Sequence, residues 1–416
     1  MDSVTKNNTP AVRFEGFDGE WGAVELQQIA DIVGGGTPST SVTSFWDGDI
    51  DWYSPNEIGE TAIAKPSNKR ITRAGLANSS ARLLPAHRTV LFTSRASIGH
   101  AAILDHPATT NQGFQSFVLN KGVDTHFFYA LTSKITEIAE QLATGSTFLE
   151  VSNKTVREIE VHVPATEEQR AIGELFSDLD ALIEQHRAKH ENLQQTKTAL
   201  LQRMFPKDGA DEPELRLDGF SRAWGTAELQ DLAAKFTDGD WIESKDQSTG
   251  GIRLLQTGNV GVNQFLAKAG SEKWVSESTF HRLRCEEVLP GDILISRLPE
   301  PAGRACKVPA LPYKMITAVD CTIVRTDSSN DPDFILAYLS TTEYFDSIRL
   351  MLAGGTRQRV SRSNLATILL PTPPTLEEQR AIGEVFSNLD DLIAAETNYI
   401  TQLTQAKTAL LQRMFV

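Results

Sequence analysis

Three stretches of the chain carry basic side chains without any nearby carboxylate. Residues 61–104 contain seven Lys and Arg residues and no Asp or Glu, and residues 301–319 and 347–376 repeat the pattern with fewer basic residues. Such stretches can neutralise phosphates, and Arg, Asn and Gln side chains can read base edges in a nucleic-acid groove. The alternative is a solvated basic face, or one paired with carboxylates from elsewhere in the fold. The recurrence of the pattern in both halves favours nucleic acid.

Loop composition narrows this prediction, because turns between apolar runs carry the same groove-reading side chains. Ser94-Arg95 follows an apolar run in the first half, and Ser296-Arg297 stands at the corresponding place in the second half. Single residues of this kind also fill ordinary loops, so the prediction rests on the whole set. We predict nucleic-acid contacts by Thr37, Ser39, Lys65, Lys69, Arg70, Arg73, Ser94, Arg95, Ser97, Asn111, Gln112, Ser146, Thr147, Lys245, Gln256, Asn259, Arg297, Arg304, Arg357, Gln358 and Arg359.

Residue patterns for catalysis are mostly absent. The glycine run at 34–38 lacks the Lys-Ser/Thr ending of a phosphate-binding loop, so we interpret it as a turn. Glu243-Ser244-Lys245 resembles part of a metal-dependent nuclease site, but the acids upstream, Asp238 and Asp240, lie too close to it. The histidines and cysteines show no zinc-binding spacing, and the glycine and Asn/Asp-Pro-Pro-aromatic motifs of adenine methyltransferases do not occur. We predict that this chain alone has no catalytic residue, no metal site and no cofactor.

An internal repeat organises the elements that must position these loops. Residues 167–205 recur as 377–415, and 25 of the 39 aligned positions are identical. A shorter similarity opens each half, at residues 16–27 and 219–230. Between these anchors the two halves diverge widely. The chain therefore alternates two variable segments with two constant segments.

The constant segments are predicted to be long helices. Their apolar residues recur at alternating steps of four and three, the heptad pattern of a coiled-coil seam. Thr166 with Gln169 and Thr375 with Glu378 have the spacing of a capping box. One such helix leaves its apolar stripe uncovered, so the other copy is the expected partner, antiparallel to it. The predicted seam and subunit-interface residues are Ile172, Phe176, Leu179, Ile183, Leu193, Leu200, Ile382, Phe386, Leu389, Ile393, Leu403 and Leu410.

The middle of the predicted seam is polar. His186 and His190 occupy it in the first copy, and Glu396 occupies it in the second. An antiparallel pair of helices would bring these side chains close together, and we expect a polar contact between them. Simple solvation of all three side chains is the alternative.

Length and composition are those of an ordinary globular chain. The chain has 416 residues, of which 40% are hydrophobic and 23% are charged. It contains no run approaching ~18 apolar residues and does not begin like a signal peptide. Three cysteines without metal-binding spacing indicate reduced thiols and a cytoplasmic location. The net charge of −14 argues against a polycation that coats nucleic acid, so any such contact needs local basic patches.

These patterns together predict an α+β fold. Two globular mixed α/β domains would be joined by two long antiparallel coiled-coil helices, with an internal pseudo-twofold repeat. The predicted segments are a first domain at 1–164, a helix at 165–205, a linker at 206–216, a second domain at 217–373 and a second helix at 374–416.

The motifs of both halves carry a family resemblance. The two EEQRAIGE…LLQRMF helices, each entered from a proline-containing strand, are its most specific features. LFTSRASIG, TTNQGFQSF and GSTFLEVS are similar to elements of one type of recognition domain, and TDGDWIESKD, IRLLQTGNVG and GDILISR are similar to those of another. Over nearly its whole length, the chain resembles the specificity subunit of type I restriction–modification systems.

The resemblance implies a mechanism without catalysis in this chain. Each variable segment would be a target recognition domain that reads one half of a bipartite, asymmetric site in double-stranded DNA. The helices would set the spacing of the half-sites and dock two methyltransferase subunits, which bring S-adenosylmethionine and methylate adenine. Restriction subunits, which use ATP and Mg, would join to cleave unmodified DNA. The two recognition domains align poorly with each other, so base contacts do not transfer between them.

Two alternative hypotheses place the chain in other functional classes. A single-chain nuclease or methyltransferase is disfavoured by the missing motifs. A coiled-coil adaptor that ties proteins together without reading DNA would explain the helices and leave the basic stretches without a role.

Overall fold

Two units make up the chain in the computed structural model, which describes residues 9–95, 97–145, 149–207, 210–353 and 358–416. The first unit contains the described residues up to Lys189 together with Glu396–Val416, and the second contains His190–Ala395. Each unit therefore holds one variable segment and a part of each constant segment. The finer boundaries expected from the sequence stay a prediction.

Short strands and helices form the variable part of the first unit. Its strands are β1 (Gly22–Glu25), β2 (Ala30–Gly34), β3 (Trp46–Tyr53), β4 (Lys69–Ile71), β5 (Thr89–Phe92), β6 (Ala101–Ile103), β7 (Thr109–Thr110), β8 (Gln115–Leu119) and β9 (Glu160–Val163). Its helices are α1 (Leu26–Ile29), α2 (Arg73–Ala77), α3 (Thr125–Leu142), α4 (Asn153–Arg157) and the start of α5 (Thr166–Arg203). Three sheets result, with strand orders β2-β8-β5-β6, β4-β3-β7 and β1-β9.

The helix α3 covers the larger sheet of this unit. Asp124 caps it, because its carboxylate accepts a hydrogen bond of 2.8 Å from the amide of Phe127. The ring of Phe128, one residue further, lies 5.0 Å from that of Phe117 on β8. Phe415, from the second constant segment, closes the same core with its ring 5.6 Å from that of Phe127. The constant segment is thus part of the core of the domain.

The second unit repeats this plan with different strands. Its strands are β10 (Gly225–Glu228), β11 (Ala233–Asp238), β12 (Gln247–Ser248), β13 (Ile252–Leu255), β14 (Lys273–Val275), β15 (Ile293–Ser296), β16 (Ala305–Lys307), β17 (Met315–Thr317), β18 (Cys321–Thr326) and β19 (Leu369–Thr372). Its helices are α6 (Glu277–Leu283), α7 (Pro332–Tyr338), α8 (Thr342–Met351), α9 (Arg362–Ala366) and the start of α10 (Leu376–Met414). The sheet orders are β11-β18-β15-β16, β12-β14-β13-β17 and β10-β19.

The two constant segments form the two longest helices of the described chain, and they begin differently. The hydroxyl of Thr375 accepts a hydrogen bond of 3.3 Å from the amide of Glu378, as its capping position predicts. Thr166 is already helical, and its hydroxyl instead donates to the Gly122 carbonyl at 3.3 Å. The predicted cap at Thr166 is therefore wrong, because its hydroxyl is hydrogen-bonded to a loop of the same unit.

Both units contain antiparallel contacts between the long helices. In the first unit, Lys407 Nζ lies 2.5 Å from Asp180 Oδ1. In the second unit, Lys197 forms the equivalent ion pair with Asp390. Each pair maps onto the other by the repeat offset, so the pseudo-twofold repeat of the sequence is present in the structure.

Burial follows the predicted heptad pattern. Of the predicted seam residues, Ile172, Phe176, Ile183, Ile382 and Phe386 are buried, and Leu179, Leu193, Leu200, Leu389, Ile393, Leu403 and Leu410 are half-buried. At the centre, His186 Nδ1 lies 2.6 Å from Glu396 Oε2, which confirms that part of the expected polar contact. The expectation for His190 stays a prediction. The predicted fold class is confirmed.

Within the described ranges, no helix is both long enough and apolar enough to cross a membrane.

Candidate nucleic-acid interface

Two parallel strands, β3 and β7, end side by side at one edge of the first unit. The segment before Thr37 lies beside these strand ends, because the amide of Gly36 donates to the Thr110 carbonyl at 2.8 Å. This approach requires a glycine at position 35, since a Cβ there would lie 1.9 Å from the Asn111 carbonyl oxygen. The glycine run therefore serves to bring two loops together.

Four predicted contact residues gather at this place, which we name the first loop edge: Thr37, Asn111, Gln112 and Arg95. The Thr37 hydroxyl donates to Gln112 Oε1 at 2.7 Å, so two loops share one hydrogen bond. The Asn111 side chain turns back and accepts from the Gly113 amide at 2.8 Å. Gln112 is exposed and Thr37 is half-buried, so both present polar atoms near the surface.

Arg95 lies at the same edge because the chain turns after β5. The amide of Ser94 donates to the Gly113 carbonyl at 2.8 Å, which joins this turn to the loop of Gln112. Ser94 itself is fully buried, whereas the side chain of Arg95 is 51% exposed. The Arg95 guanidinium forms an ion pair of 2.8 Å with Glu150. This exposed pair holds the guanidinium at the surface and is weak enough to be exchanged for a phosphate or a base.

The basic stretch of the first unit is exposed next to a buried carboxylate. Asp51 accepts from Arg70 Nε at 2.9 Å and lies 2.9 Å from His106 Nε2. Burial alone would raise the pKa of Asp51, but the Ser67 amide and His106 outweigh it and lower that pKa. His106 also contacts Asp105 at 2.5 Å, and although burial opposes this, the two carboxylates raise its pKa. The predicted contacts Lys65, Lys69, Arg70 and Arg73 of this stretch are all exposed.

The second unit builds an equivalent edge from β13 and β17, which are also parallel. Here the amide of Asp240 donates to the Thr317 carbonyl at 2.8 Å, as Gly36 does in the first unit. Gly239 permits the approach, because a Cβ there would lie 2.3 Å from the Thr317 carbonyl oxygen. The residues that follow the ends of β11, β13 and β17 therefore emerge together. We name Trp241, Gln256 and Arg359 the second loop edge.

Arg359 belongs to this edge through a network of ion pairs. Its guanidinium lies 3.8 Å from the carboxylate of Asp320, which follows the end of β17. Arg362 and Arg297 approach the carboxylate of Asp238 at 4.0 and 3.4 Å. These distances leave the exposed arginines, Arg359 and Arg362, only loosely held.

The structure corrects the expected match of Ser296-Arg297 with Ser94-Arg95. The amide of Arg297 donates to Asp320, and its carbonyl accepts from Val360, in the pattern that Ser94 follows in the first unit. Arg297 therefore corresponds to Ser94 in the structure, whereas the sequence comparison matched it with Arg95. Its side chain is 4% exposed and donates to the Val319 carbonyl at 2.6 Å.

Two further predicted contacts point into the second unit. Arg304 is 9% exposed, and its guanidinium donates to four backbone carbonyls. Burial lowers the pKa of Arg304. Asn259 is also buried and holds a turn, donating to the Leu266 carbonyl at 2.7 Å and accepting from the Gln256 amide at 2.9 Å. These side chains hold loops from inside the domain.

The remaining predicted contacts divide into exposed residues and residues outside the described ranges. Lys245 is exposed and forms an ion pair of 2.8 Å with Glu243. Ser39, Ser97 and Gln358 are exposed as well. Ser146, Thr147 and Arg357 lie outside the described residues.

Trp241 at the second loop edge is a residue that the sequence reasoning missed. It is 72% exposed, the largest exposure among the Trp, Tyr and Phe residues of the described chain. The available signal was the alignment of Gly35-Gly36-Thr37 with Gly239-Asp240-Trp241, which places Trp241 opposite Thr37. The low similarity of the two halves hid this match.

Candidate metal ligands are dispersed in the described residues, and the three cysteines are buried. In the part of the chain that the structure describes, no three His, Cys, Asp or Glu side chains are grouped so as to hold a metal ion. Burial raises the pKa of Cys285 and of Cys321 to about 11, and that of Cys306 to about 12. These buried thiols therefore stay protonated and unreactive at neutral pH.

Known proteins share both the sequence pattern and the fold. The chain is 34% identical over 190 residues to the type I restriction enzyme MjaIX specificity subunit of Methanocaldococcus jannaschii, covering 45% of this chain and 44% of that one. It is 30% identical over 173 residues to the EcoR124I/EcoR124II specificity subunit of Escherichia coli, covering 39% and 42%. The alignments thus span less than half the length of these two curated relatives.

A solved structure matches the whole chain in fold. The crystal structure of the type I restriction–modification system S subunit from M. genitalium has a TM-score of 0.67 at 16% identity, covering 98% of this chain and 99% of that one. The family model of the type I restriction modification DNA specificity domain matches this chain twice, at residues 18–195 and at residues 222–405. With that domain present twice and covering most of its length, the chain belongs to the family of type I restriction–modification specificity subunits.

Proposed function

We propose that this chain gives a type I restriction–modification complex its DNA sequence specificity. The observation that carries the proposal is the double occurrence of the DNA specificity domain, each with a loop edge that presents Arg and Gln side chains. Guanidinium and carboxamide groups offer paired donors and acceptors that match base edges in the major groove. The chain itself supplies recognition, and the chemistry belongs to its partners.

The two loop edges are built alike but carry different side chains. Thr37 and Gln112 stand at the first edge, whereas Trp241 and Arg359 stand at the second. Different side chains on the same backbone frame read different bases, so we propose two different half-sites. The site would then be bipartite and asymmetric, with a gap set by the length of the paired helices α5 and α10.

The partners that we propose are double-stranded DNA, two methyltransferase subunits and restriction subunits. The methyltransferase subunits would dock on the helices and bring S-adenosylmethionine, and the restriction subunits would bring ATP and Mg. The net charge of −14 fits this division, because partner subunits can supply much of the positive field around DNA. A cytoplasmic location stays a prediction of the sequence.

The test is to co-express this chain with a methyltransferase subunit of the same system and map modified adenines across the host genome. A single bipartite motif that disappears when this chain is omitted supports the proposal and defines both half-sites. Modification that is the same with and without the chain, in the presence of a stable complex, contradicts it. That result supports a coiled-coil adaptor without DNA readout.

A further inference from the structure

We propose that Trp241 contacts a base of the DNA half-site that the second unit recognises. This inference rests on the proposed function, because it requires DNA at the second loop edge. The sequence prediction included Gln256 and Arg359 at this edge but not Trp241, and the structure assigns Trp241 to the same edge.

The backbone on both sides of Trp241 is anchored. The amide of Asp240 donates to the Thr317 carbonyl at 2.8 Å, and its carbonyl accepts from the amide of Val319 at 2.9 Å. Ile242, on the other side, packs into a small apolar core of the second unit. These contacts hold the main chain, so the side chain between them is directed outward by a fixed frame. Such preorganisation lowers the entropic cost of binding.

The indole ring is exposed, whereas three of the other tryptophans are buried and two, Trp46 and Trp274, are half-buried. Trp21, Trp52 and Trp224 are 2%, 7% and 6% exposed, whereas Trp241 is 72% exposed. The indole N–H donates to Glu243 Oε1 over 3.4 Å, which is a long hydrogen bond. A rigid, exposed aromatic ring supplies a large contact area at low entropic cost when a partner covers it.

The neighbours of Trp241 favour DNA as that partner. Leu255 at the end of β13 pairs with Thr317, and Ala318 pairs with Asp240, both in parallel register. Gln256, which follows Leu255, therefore emerges beside Trp241 at the same edge. Asp320, two residues after Ala318, carries the ion pair with Arg359 at 3.8 Å. A carboxamide and a guanidinium match the polar groups of a base edge in the major groove, and an aromatic ring can contact the methyl group of thymine.

The first unit supports the assignment independently. Gly36 and Asp240 make the same backbone hydrogen bond, to Thr110 and Thr317 respectively. Trp241 therefore occupies the position of Thr37, whose hydroxyl meets Gln112 at the first loop edge. One position of a shared frame carries a small polar side chain in one unit and an aromatic ring in the other. This is the kind of substitution that changes which base is read.

The first experiment compares Trp241→Ala, Trp241→Phe and the control Leu369→Ala in the co-expressed complex. Leu369 is 58% exposed in the same unit, but it lies on β19, in a different sheet from β13 and β17. We expect Trp241→Ala to weaken binding of a duplex oligonucleotide carrying the mapped motif about 10-fold, within the range for loss of one base contact in the groove. We expect Trp241→Phe and Leu369→Ala to bind the duplex within about threefold of the unchanged complex, because Phe can make the same apolar contact.

The second experiment locates the contact directly with Trp241→Cys. The three native cysteines of the chain are buried, so the introduced thiol is the readily alkylated one. The assembled complex is treated with a maleimide, with and without the duplex, and the peptide that contains position 241 is quantified by mass spectrometry. We expect alkylation without DNA and protection only by the duplex that carries the motif.

The outcomes separate this inference from the proposed function. Alkylation that is equally fast with and without the duplex overturns the inference, as does unchanged binding by Trp241→Ala. Protection by assembly alone, before DNA is added, also overturns it and assigns Trp241 to a contact with a methyltransferase subunit. Genome mapping that finds no motif dependent on this chain refutes the proposed function itself.

Discussion

His186 and Glu396 occupy the same position of the internal repeat, and their side chains meet at the centre of the helix pair, with His186 Nδ1 2.6 Å from Glu396 Oε2. Two other ion pairs between the repeats are symmetric counterparts of each other, Asp180 with Lys407 and Asp390 with Lys197. Because His186 and Glu396 are equivalent positions, two identical side chains there would repel each other or leave the contact unmade. The contact forms because one copy carries an imidazole and the other a carboxylate. Lys189 reinforces it, with Nζ 2.5 Å from Glu396 Oε1.

Reversing the charge of Glu396 tests this central contact. Glu396→Lys places three basic side chains together, and we expect it to lower the melting temperature of the chain by about 2–5 °C. The triple variant His186→Glu, Lys189→Glu, Glu396→Lys exchanges the charges across the pair and is expected to regain most of that loss. Calorimetry of the purified chain measures both values. The control is Glu384→Lys, which changes an exposed residue of the same helix.

The acid limb of the stability curve gives a second readout for the same contact. The bonds from Lys189 and His186 lower the pKa of Glu396 below its usual 4.5. The stability that this carboxylate contributes is therefore present above pH 4.5 and is lost as the pH falls through the lowered pKa. The pairing is contradicted if the triple variant is less stable than Glu396→Lys and loses stability at low pH in the same way as the unchanged chain.

A buried ion pair near the start of each long helix carries the second prediction. Arg13 binds Glu168 with two hydrogen bonds of 2.7 Å, and Arg216 binds Glu378 with bonds of 2.8 and 2.9 Å. Both glutamates are 1% exposed. We expect Arg13→Ala to lower the free energy of unfolding by about 3 kcal/mol, because it leaves a buried carboxylate without its partner.

The control for this pair is Arg203→Ala, which removes an ion pair between side chains that are 49% and 54% exposed. We expect it to cost under about 1 kcal/mol. Denaturant unfolding followed by circular dichroism compares the two variants. Equal losses for Arg13→Ala and Arg203→Ala would mean that the buried pair adds nothing beyond a surface contact.

The long helices could be predicted from the sequence because their determinants are local. The heptad steps and the repeat lie within one segment, and the buried positions Ile172 and Phe176 follow from them directly. The antiparallel direction then followed from connectivity. The contact of His186 with Glu396 was predictable for the same reason, since it depends only on the register of two regular helices.

The loop edges were predicted less well because their side-chain directions depend on distant strands. Arg297 takes the place of Ser94 since its amide pairs with Asp320, a partner that the local sequence does not reveal. Arg304 lies in a basic stretch, yet four carbonyls of neighbouring loops bind its guanidinium inside the domain. Trp241 was missed because its exposure follows from the anchoring of its neighbours, Asp240 and Ile242.

The third prediction concerns the pH dependence that His106 introduces. Although burial opposes it, the bonds to Asp105 and Asp51 raise the pKa of His106 above 6.5, and Arg70 also faces the Asp51 carboxylate. A histidine with a raised pKa stabilises the fold below its unfolded pKa, and this contribution is lost as the pH rises through the folded pKa. We expect the stability gap between the unchanged chain and His106→Gln to be large at about pH 5.5 and to close by about pH 9.

Melting temperatures across this range measure that gap. His281→Gln is the control, because His281 is an exposed histidine whose nearest carboxylate, that of Glu277, is 3.7 Å away. We expect the control to differ little from the unchanged chain at any pH. A gap for His106→Gln that widens with rising pH would contradict the assigned contacts.

The fourth prediction addresses the first loop edge through Arg95. Arg95→Ala removes an exposed guanidinium that forms an ion pair of 2.8 Å with Glu150. We expect the co-expressed complex to assemble normally and to methylate its motif about 10-fold more slowly, because a base contact is worth about 1–3 kcal/mol. Arg88→Ala is the matched control, since Arg88 lies in the same basic stretch but precedes β5, whereas Arg95 follows it. The loss should fall on the half-site read by the first unit, so single base changes there should matter less in the variant. Methylation at the unchanged rate by Arg95→Ala would show that the guanidinium serves only its ion pair with Glu150. An equal loss of rate in Arg88→Ala would show that the effect is not specific to Arg95.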